Sequence, residues 1–235
     1  MFSGSADLYD LLYSGFKDYD AESAAIAETI RAGHANAVRV LDVGCGTGEH
    51  ARILTERYGY HVDGLDIDSG FVRIAQGKLP GAAVHAADMT QFDLDARYDA
   101  IVCLFSSIGY VRTLDGLRSA FGRFRVHLAA AGIVVVEPWF EPGVLVPGRV
   151  MVNQAARDGV TVCRMSHLTI EGRLSRIRFE YLIGRQSGIE RATETHELGL
   201  FTVAETIACF AAAGLNAIHY PQGPSGRGLY VAQAV

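Results

Sequence analysis

The stretch VLDVGCGTGEH, Val40 to His50, runs a short apolar segment into an aspartate and then into glycines at alternate positions, Gly44, Gly46 and Gly48. An apolar strand that ends in a glycine turn and opens a helix is the entry of a βα unit, where backbone N–H groups and a helix N-terminus approach a ligand. The usual ligand of such a turn is a dinucleotide pyrophosphate, cradled by the spacing G-x-G-x-x-G. The third glycine of that pattern would fall where this chain has Glu49. Asp42 at the strand end and Glu49 at the helix start also set negative charge where a pyrophosphate would lie, which costs Coulomb energy in a partly buried site. The turn is therefore expected to take a ligand that carries positive charge.

Outward from that turn, hydrophobic rhythm and breakers divide the chain. AESAAIAETIRAG predicts a helix ending at Gly33, VRVLDV a strand, EHARILTERYG a helix closed by Gly59, and YHVDGLDI a second strand. SGFVRIAQGKL is a helix stopped by Pro80, AAVHAAD and YDAIVCLF are strands, LDGLRSAFGRFRVHLAAAG is a long helix, and IVVVEPW is a fifth strand. Strict alternation implies right-handed crossovers and a parallel sheet. From about 148 to 200 the helical rhythm gives way to Val, Ile, Thr and Phe-rich runs separated by Asp-Gly, Glu-Gly and Ser-Gly, the mark of antiparallel hairpins. A helix at TVAETIACFAAAG and two closing strands complete an α/β chain whose central sheet is mostly parallel, with an antiparallel β insertion after the fifth strand. The division expected is a single domain, 1–235. Its parts are N-terminal lid helices over 1–35, a cofactor-binding core over 36–147, the β insertion over 148–200, and a helix with closing strands over 201–235.

S-adenosylmethionine is a ligand of the required kind: a sulfonium and an ammonium, no phosphate, and an adenosine for strand ends to recognise. Asp66, closing the second strand, is placed to accept from both ribose hydroxyls. Asp88, after the third, can accept from the adenine amino group, with Ile67 and Met89 as apolar walls. A ribose acid alone would also suit a nicotinamide enzyme; the glycine turn, strand-2 acid and strand-3 Asp-Met in this order are far more specific.

LDVGCGTG followed by GLDI and ADM resembles the class I S-adenosylmethionine-dependent methyltransferases, which have a Rossmann-like fold. ADLYDLLYSGFKDY, LFSSIGY, VVVEPWF, RMSH, EGRLSRI and GPSGRGL extend the likeness over nearly the full chain to the dTDP-aminosugar N,N-dimethyltransferases of antibiotic deoxysugar pathways. Members of that family tend to have Glu in place of Asp66, a second Trp in place of Phe140, and one more residue before Lys17. The resemblance implies N-methylation of a nucleotide-linked aminodeoxysugar, with Tyr19 and Phe105 against the cofactor and Tyr110 near the transferred methyl, its hydroxyl orienting the amine. Tyr9 and Tyr13 share its implied lid, although the spacing of Leu8, Leu11 and Leu12 equally gives an amphipathic helix packed on a core. Trp139, the single tryptophan, stands at the end of the fifth strand, where α/β sheets bind ligands. Ser225 and Arg227 of GPSGRG offer a hydroxyl and a guanidinium to a diphosphate. His167 and Arg176, from the hairpins, are further acceptor candidates.

The net charge of −5 in 235 residues gives no basic surplus for nucleic acid. The longest apolar runs are too short to span a bilayer, and MFSGSADLYD carries acid where a signal peptide needs basic and apolar regions. A cytoplasmic enzyme with a small-molecule substrate is expected, and family analogy suggests a homodimer. Cys45, Cys103, Cys163 and Cys209 stand far apart and are read as buried apolar residues; no metal site is expected, because no His, Cys and Asp cluster has ligand spacing. Two rival readings are a methyltransferase for another small amine or hydroxyl acceptor, and a cofactor-binding protein without catalysis.

Overall fold

The computed structural model describes residues 6–235; the first five residues of the segment weighed against a signal peptide lie outside them. The order is α1 (Ala6–Tyr13), α2 (Tyr19–Gly33), β1 (Arg39–Val43), α3 (Glu49–Tyr58), β2 (His61–Asp66), α4 (Ser69–Lys78), β3 (Val84–Ala86), β4 (Tyr98–Cys103), a 3-10 turn (Ser107–Val111), α5 (Leu114–His127) and β5 (Leu128–Val136). Then come β6 (Val150–Arg157), β7 (Val160–Glu171), β8 (Leu174–Arg185), β9 (Gly188–Gly199), α6 (Val203–Ala212), β10 (Leu215–Tyr220) and β11 (Leu229–Ala234).

The expected alternation forms a seven-stranded sheet in the order β10-β11-β5-β4-β1-β2-β3. The strands from β3 to β5 run parallel; β11 is antiparallel to both β5 and β10. Apolar residues on both faces of the strands bury the sheet between two helical layers. Ile26, Ala27 and Ile30 of α2 and Leu54 of α3 cover Val40, Ala100 and Val102 on one side. Phe121 and Phe124 of α5 and Phe210 of α6 cover Leu41, Ile101 and Val134 on the other, with Phe121 and Phe210 stacked at 3.7 Å. Because β1 is central, its carboxyl end, the adjacent ends of β2 and β4 and the loops that follow form one crevice.

One boundary differs from the expectation. LAAAG, residues 128–132, belongs to β5 and not to α5. Alanine favours a helix, but Leu128 pairs with Tyr98 and Ile133 with Ala100, and the bulge between them forces the alanines into extended chain. Gly132 fits this corner because an added Cβ would lie 2.9 Å from the Asp99 carbonyl.

The hairpins after β5 form a separate sheet, β6-β7-β8-β9, antiparallel throughout. Its inner face, with Val162, Phe179, Tyr181 and Ile183, packs on Leu8, Leu11, Leu12 and Tyr13 of α1. Packing on the insertion, not on the main sheet, therefore buries α1. Val150, Val152, Met165 and Leu182 of the outer face are exposed. Cys163 also belongs to that face and is only half-buried, unlike the other three cysteines. Among the described residues no helix is long and apolar enough to cross a membrane.

Candidate active site

The glycine turn is shaped by its own hydrogen bonds. The N–H groups of Gly44 and Cys45 donate to the Leu65 carbonyl at 2.7 and 3.0 Å, and that of Gly46 donates to Asp66 Oδ2 at 2.9 Å. The amides that would cradle a phosphate are thus used to tie the turn to the end of β2. All three glycines have positive φ, 73°, 55° and 79°, which other residues adopt at a cost. A Cβ on Gly44 would strike Ser107 at 2.6 Å, and one on Gly48 would press Ala75 and Leu79, whereas Gly46 faces open space. Gly46 is the position where the backbone of the turn is open to the neighbouring pocket.

That space is a pocket lined by Asp42, Gly44, Gly46, Thr47, His50, Phe105 and Ser107, with Tyr9, Lys17 and Tyr19 from the N-terminal segment. Asp42 is buried at 2% exposure, and its Oδ2 has no hydrogen-bond partner. Burial, with Asp66 nearby, pushes its carboxyl up to about 7. A buried carboxylate oxygen without a donor is costly unless a ligand supplies one. Glu49, by contrast, is neutralised: its oxygens meet Arg52 at 2.5 Å and Lys78 at 3.2 Å. The negative character of the pocket rests on Asp42 and Asp66, not on Glu49.

Lys17 enters the same pocket from the connector between α1 and α2. Its ammonium is paired with Glu22 and lies 3.8 Å from the centre of the Phe105 ring; burial lowers its pKa, against the pull of Glu22. Glu22 Oε2 also meets His50 Nε2 at 2.9 Å, and Tyr19 packs edge-on against His50 at 5.0 Å. Thr47 Oγ1 donates to Asp10 Oδ1 at 2.6 Å, which fastens α1 to the glycine turn.

At the adenosine side, Asp66 Oδ1 accepts from the Asp68 N–H at 2.9 Å, so each of its oxygens holds one backbone donor. A carboxylate oxygen can accept a second bond, which leaves Asp66 able to meet a ribose while it fixes the turn. Asp88 accepts from the N–H and hydroxyl of Thr90, both at 2.8 Å and both on Oδ1. Met89 is packed on the core beside the turn, and Ile67 is exposed at the rim.

Beyond β4 the backbone bends through two residues with positive φ, Phe105 at 50° and Ser106 at 63°. Glu137, the acid that ends β5, fastens the bend by accepting from the Phe105 N–H at 2.6 Å. Glu137 also accepts from the Ser225 hydroxyl and from Arg227 Nη2 at 3.2 Å. The Arg227 guanidinium lies 5.1 Å from the Phe105 ring and 5.8 Å from that of Trp139, and its Nε is buried without a partner. Trp139 Nε1 donates to Ser175 Oγ at 2.8 Å, which joins the main sheet to the insertion. Tyr110, on the 3-10 turn that begins at Ser107, bonds His196 Nδ1 at 2.8 Å, and burial holds its hydroxyl well above the usual range, so it stays neutral.

Tyr19, Asp42, Gly44, Gly46 and Phe105 thus line one pocket; Asp66 and Gly48 shape its turn; and Trp139, Ser225 and Arg227 gather beside Phe105. Two candidates lie elsewhere. His167 is exposed on the outer face of β7, and Arg176 is held on β8 by Glu197 at 2.8 Å and Glu171 at 2.6 Å. Strand alternation puts both opposite the face that packs on α1. Lys17, Glu22, Glu137 and His196 are the members sequence reasoning did not assign. An acid closing an apolar run, as Glu137 does, was the available clue.

The residues fit S-adenosylmethionine: Asp42 offers an unpartnered carboxylate oxygen to an ammonium, Lys17 a cation to a carboxylate, and Gly46 an open backbone. A parallel sheet with this turn and these acids defines a class I, S-adenosylmethionine-dependent methyltransferase. A methyltransferase domain family matches residues 40–132. The dTDP-3-amino-3,6-dideoxy-alpha-D-glucopyranose N,N-dimethyltransferase of Streptomyces fradiae is 41% identical over 232 residues, 97% of this chain and 91% of its own. The dTDP-3-amino-3,4,6-trideoxy-alpha-D-glucopyranose N,N-dimethyltransferase of Streptomyces venezuelae is 40% identical over 96% of each chain. The crystal structure of Streptomyces venezuelae DesVI superposes with a TM-score of 0.92 at 39% identity over 98% of both chains. A SAM-bound amino pentose methyltransferase of calicheamicin biosynthesis from Micromonospora echinaspora gives 0.87 at 37% identity over 97% of each. The chain belongs to the dTDP-aminosugar N,N-dimethyltransferase family.

Proposed function

We propose that this enzyme methylates the amino group of a nucleotide-linked aminodeoxysugar twice, to the tertiary amine. The observation that carries the reading is the full-length likeness to sugar-nucleotide N,N-dimethyltransferases, joined to a cofactor pocket whose buried Asp42 oxygen lacks a donor. When bound, S-adenosylmethionine supplies a methyl group already activated by its sulfonium, so the chain's own task is chiefly positioning. In this reading Asp42 and Lys17 take the two charged ends of the cofactor's amino acid, Tyr19 and Phe105 wall the methionine, and Asp66, Ile67, Asp88 and Met89 take the adenosine. Tyr110 orients the amine, Trp139 forms a wall of the acceptor site, and Arg227, with a free buried Nε and Ser225 beside it, receives the anionic part of the substrate.

A single methyltransferase domain, acting in the cytoplasm as a homodimer, is part of the proposal. The exposed apolar residues Val150, Val152, Met165 and Leu182 on one sheet face supply a surface that self-association would cover. The test of the substrate class is turnover, followed by mass spectrometry, of dTDP-aminosugars against free aminosugars and simple amines. Methylation confined to the nucleotide-linked acceptors is expected; equal turnover of the free sugars would sink the reading.

A further inference from the structure

The hydroxyl of Tyr110 is the near end of a buried chain that leaves the site for the interior of the insertion. His196 Nδ1 lies 2.8 Å from Tyr110 Oη, Glu194 Oε2 lies 3.5 Å from His196 Nε2, and Tyr181 Oη donates to the same Glu194 oxygen at 3.1 Å. The side chains of His196 and Glu194 are 2% and 8% exposed. His196 is fixed in place by the edge of the Phe179 ring at 5.2 Å, and nothing in orienting a substrate requires an imidazole and a carboxylate behind the tyrosine.

The chemistry of the acceptor supplies a reason. An alkylammonium with an ordinary pKa near about 10 is free base in only roughly one molecule in 10³ at neutral pH, and only the free base has a lone pair to attack with. The form in solution is therefore the unreactive one, before the first transfer and again before the second.

We infer that His196 is the proton acceptor for the substrate's ammonium, working through Tyr110. The Glu194 carboxylate beside Nε2 keeps the ring proton on that nitrogen, so Nδ1 has a lone pair and the Tyr110 O–H donates to it. The bound ammonium then faces the oxygen of Tyr110. Its N–H bond breaks with the electron pair left on nitrogen, the proton passes to Tyr110 Oη, and the tyrosine's own proton passes to His196 Nδ1. Tyr110 is neutral before and after. The imidazolium formed is balanced by Glu194 and returns its proton to water when the site opens. His196 does not touch the substrate; it is a positioning and proton-holding residue. Besides Tyr110, Glu194 and Tyr181, the ionisable groups around this chain are Tyr9 and Tyr13 of α1, Arg164 of β7, whose guanidinium lies 4.6 Å from the Phe179 ring, and Asp66 across the site.

This inference rests on the proposed amine acceptor, and its tests separate the two. In wild-type enzyme the transition state contains the proton, held on His196, so kcat/KM should be level across the neutral range. In His196→Gln, whose amide oxygen can still accept from Tyr110 but cannot take a proton, only free base reacts. Its kcat/KM should be lower by on the order of 10²-fold at about pH 7 and climb about one decade per pH unit until it meets the wild type. Tyr110→Phe should give the same slope, so the profile is tested even if the histidine variant does not fold. A deficit constant with pH in either variant would mark a structural role and overturn the proposal. Nitrogen-15 histidine NMR of the enzyme alone provides a readout without turnover. His196 should carry its proton on Nε2, and Tyr110→Phe should shift Nδ1; a proton on Nδ1, or no shift, would overturn the assignment. A wild type that methylates no amine would instead defeat the proposed function, with the NMR result still deciding the chain.

Discussion

At the scale of single residues, Asp42 concentrates the account. Its carboxyl, raised by burial to about 7, would be near its ordinary lower value in the unfolded chain. The folded protein therefore holds the proton more tightly, and this residue's contribution to stability falls as pH rises from about 4 to about 7. Asp42→Asn removes that penalty. Relative to wild type, the cofactor-free variant should gain about 2 to 4 kcal/mol at pH 8 over its standing at pH 4, measured by chemical denaturation. Binding has the opposite sense, since an ammonium ligand needs the carboxylate. Wild-type affinity for S-adenosylmethionine should weaken by roughly tenfold from about pH 8 to about pH 6, a dependence calorimetry should find missing in Asp42→Asn. A variant that is both less stable at pH 8 and undiminished in affinity would remove Asp42 from the site. Its place was legible from sequence because a strand end next to a glycine turn leaves an acid nowhere else to go. The pairing of Glu49 was not legible, since Arg52 is a helix neighbour but Lys78 comes from α4, and only folding brings them together.

At the scale of elements, the connector between α1 and α2 matters most. Sequence placed Tyr19 on the cofactor but left Lys17 unassigned, because a lysine in a loop is ordinarily solvated. Here Lys17 is buried against Phe105 and paired with Glu22, contacts that cross from the N-terminal segment to the end of β4 and have no sequence signature. Lys17→Gln should weaken S-adenosylhomocysteine binding by about tenfold or more, the loss of a charge-assisted contact, and leave 5′-methylthioadenosine, which lacks the amino acid, almost unaffected. Equal losses for both would mean that Lys17 only supports the fold. The hairpins were legible as strands from their alternation and Gly turns. Which face of each strand met α1 was not, since packing between elements decides it, and the hairpin candidates His167 and Arg176 both stand on the outer side. LAAAG misled for the same reason, because pairing with β4 overrode the preference of its alanines.

At the scale of the whole molecule, three separated parts of the chain meet at Glu137: the bend after β4, the end of β5 and the loop before β11. Arg227 pairs with Glu137 and, in the proposed function, keeps its buried, unpartnered Nε for the substrate. Arg227→Ala should raise KM for a nucleotide sugar by on the order of tenfold or more while cofactor affinity changes little, and steady-state kinetics with calorimetry separates the two; an unchanged KM would leave Arg227 with only its partner Glu137. The parallel core and its cofactor were legible because the glycine turn and the strand-end acids are local in sequence. The proposed acceptor side was not, because its residues are joined between two sheets, through Trp139 to Ser175 and Tyr110 to His196. The most direct measurement of the central claim is a mass-spectrometric time course with a dTDP-aminosugar and excess S-adenosylmethionine. A second transfer needs no new group, only fresh cofactor and room for one methyl beside Tyr110, whereas a third would leave a nitrogen with no N–H to meet that hydroxyl. A transient product heavier by one methylene, followed by a stable one heavier by two, is predicted. An end point after a single transfer, or a third addition to a quaternary ammonium, would contradict it.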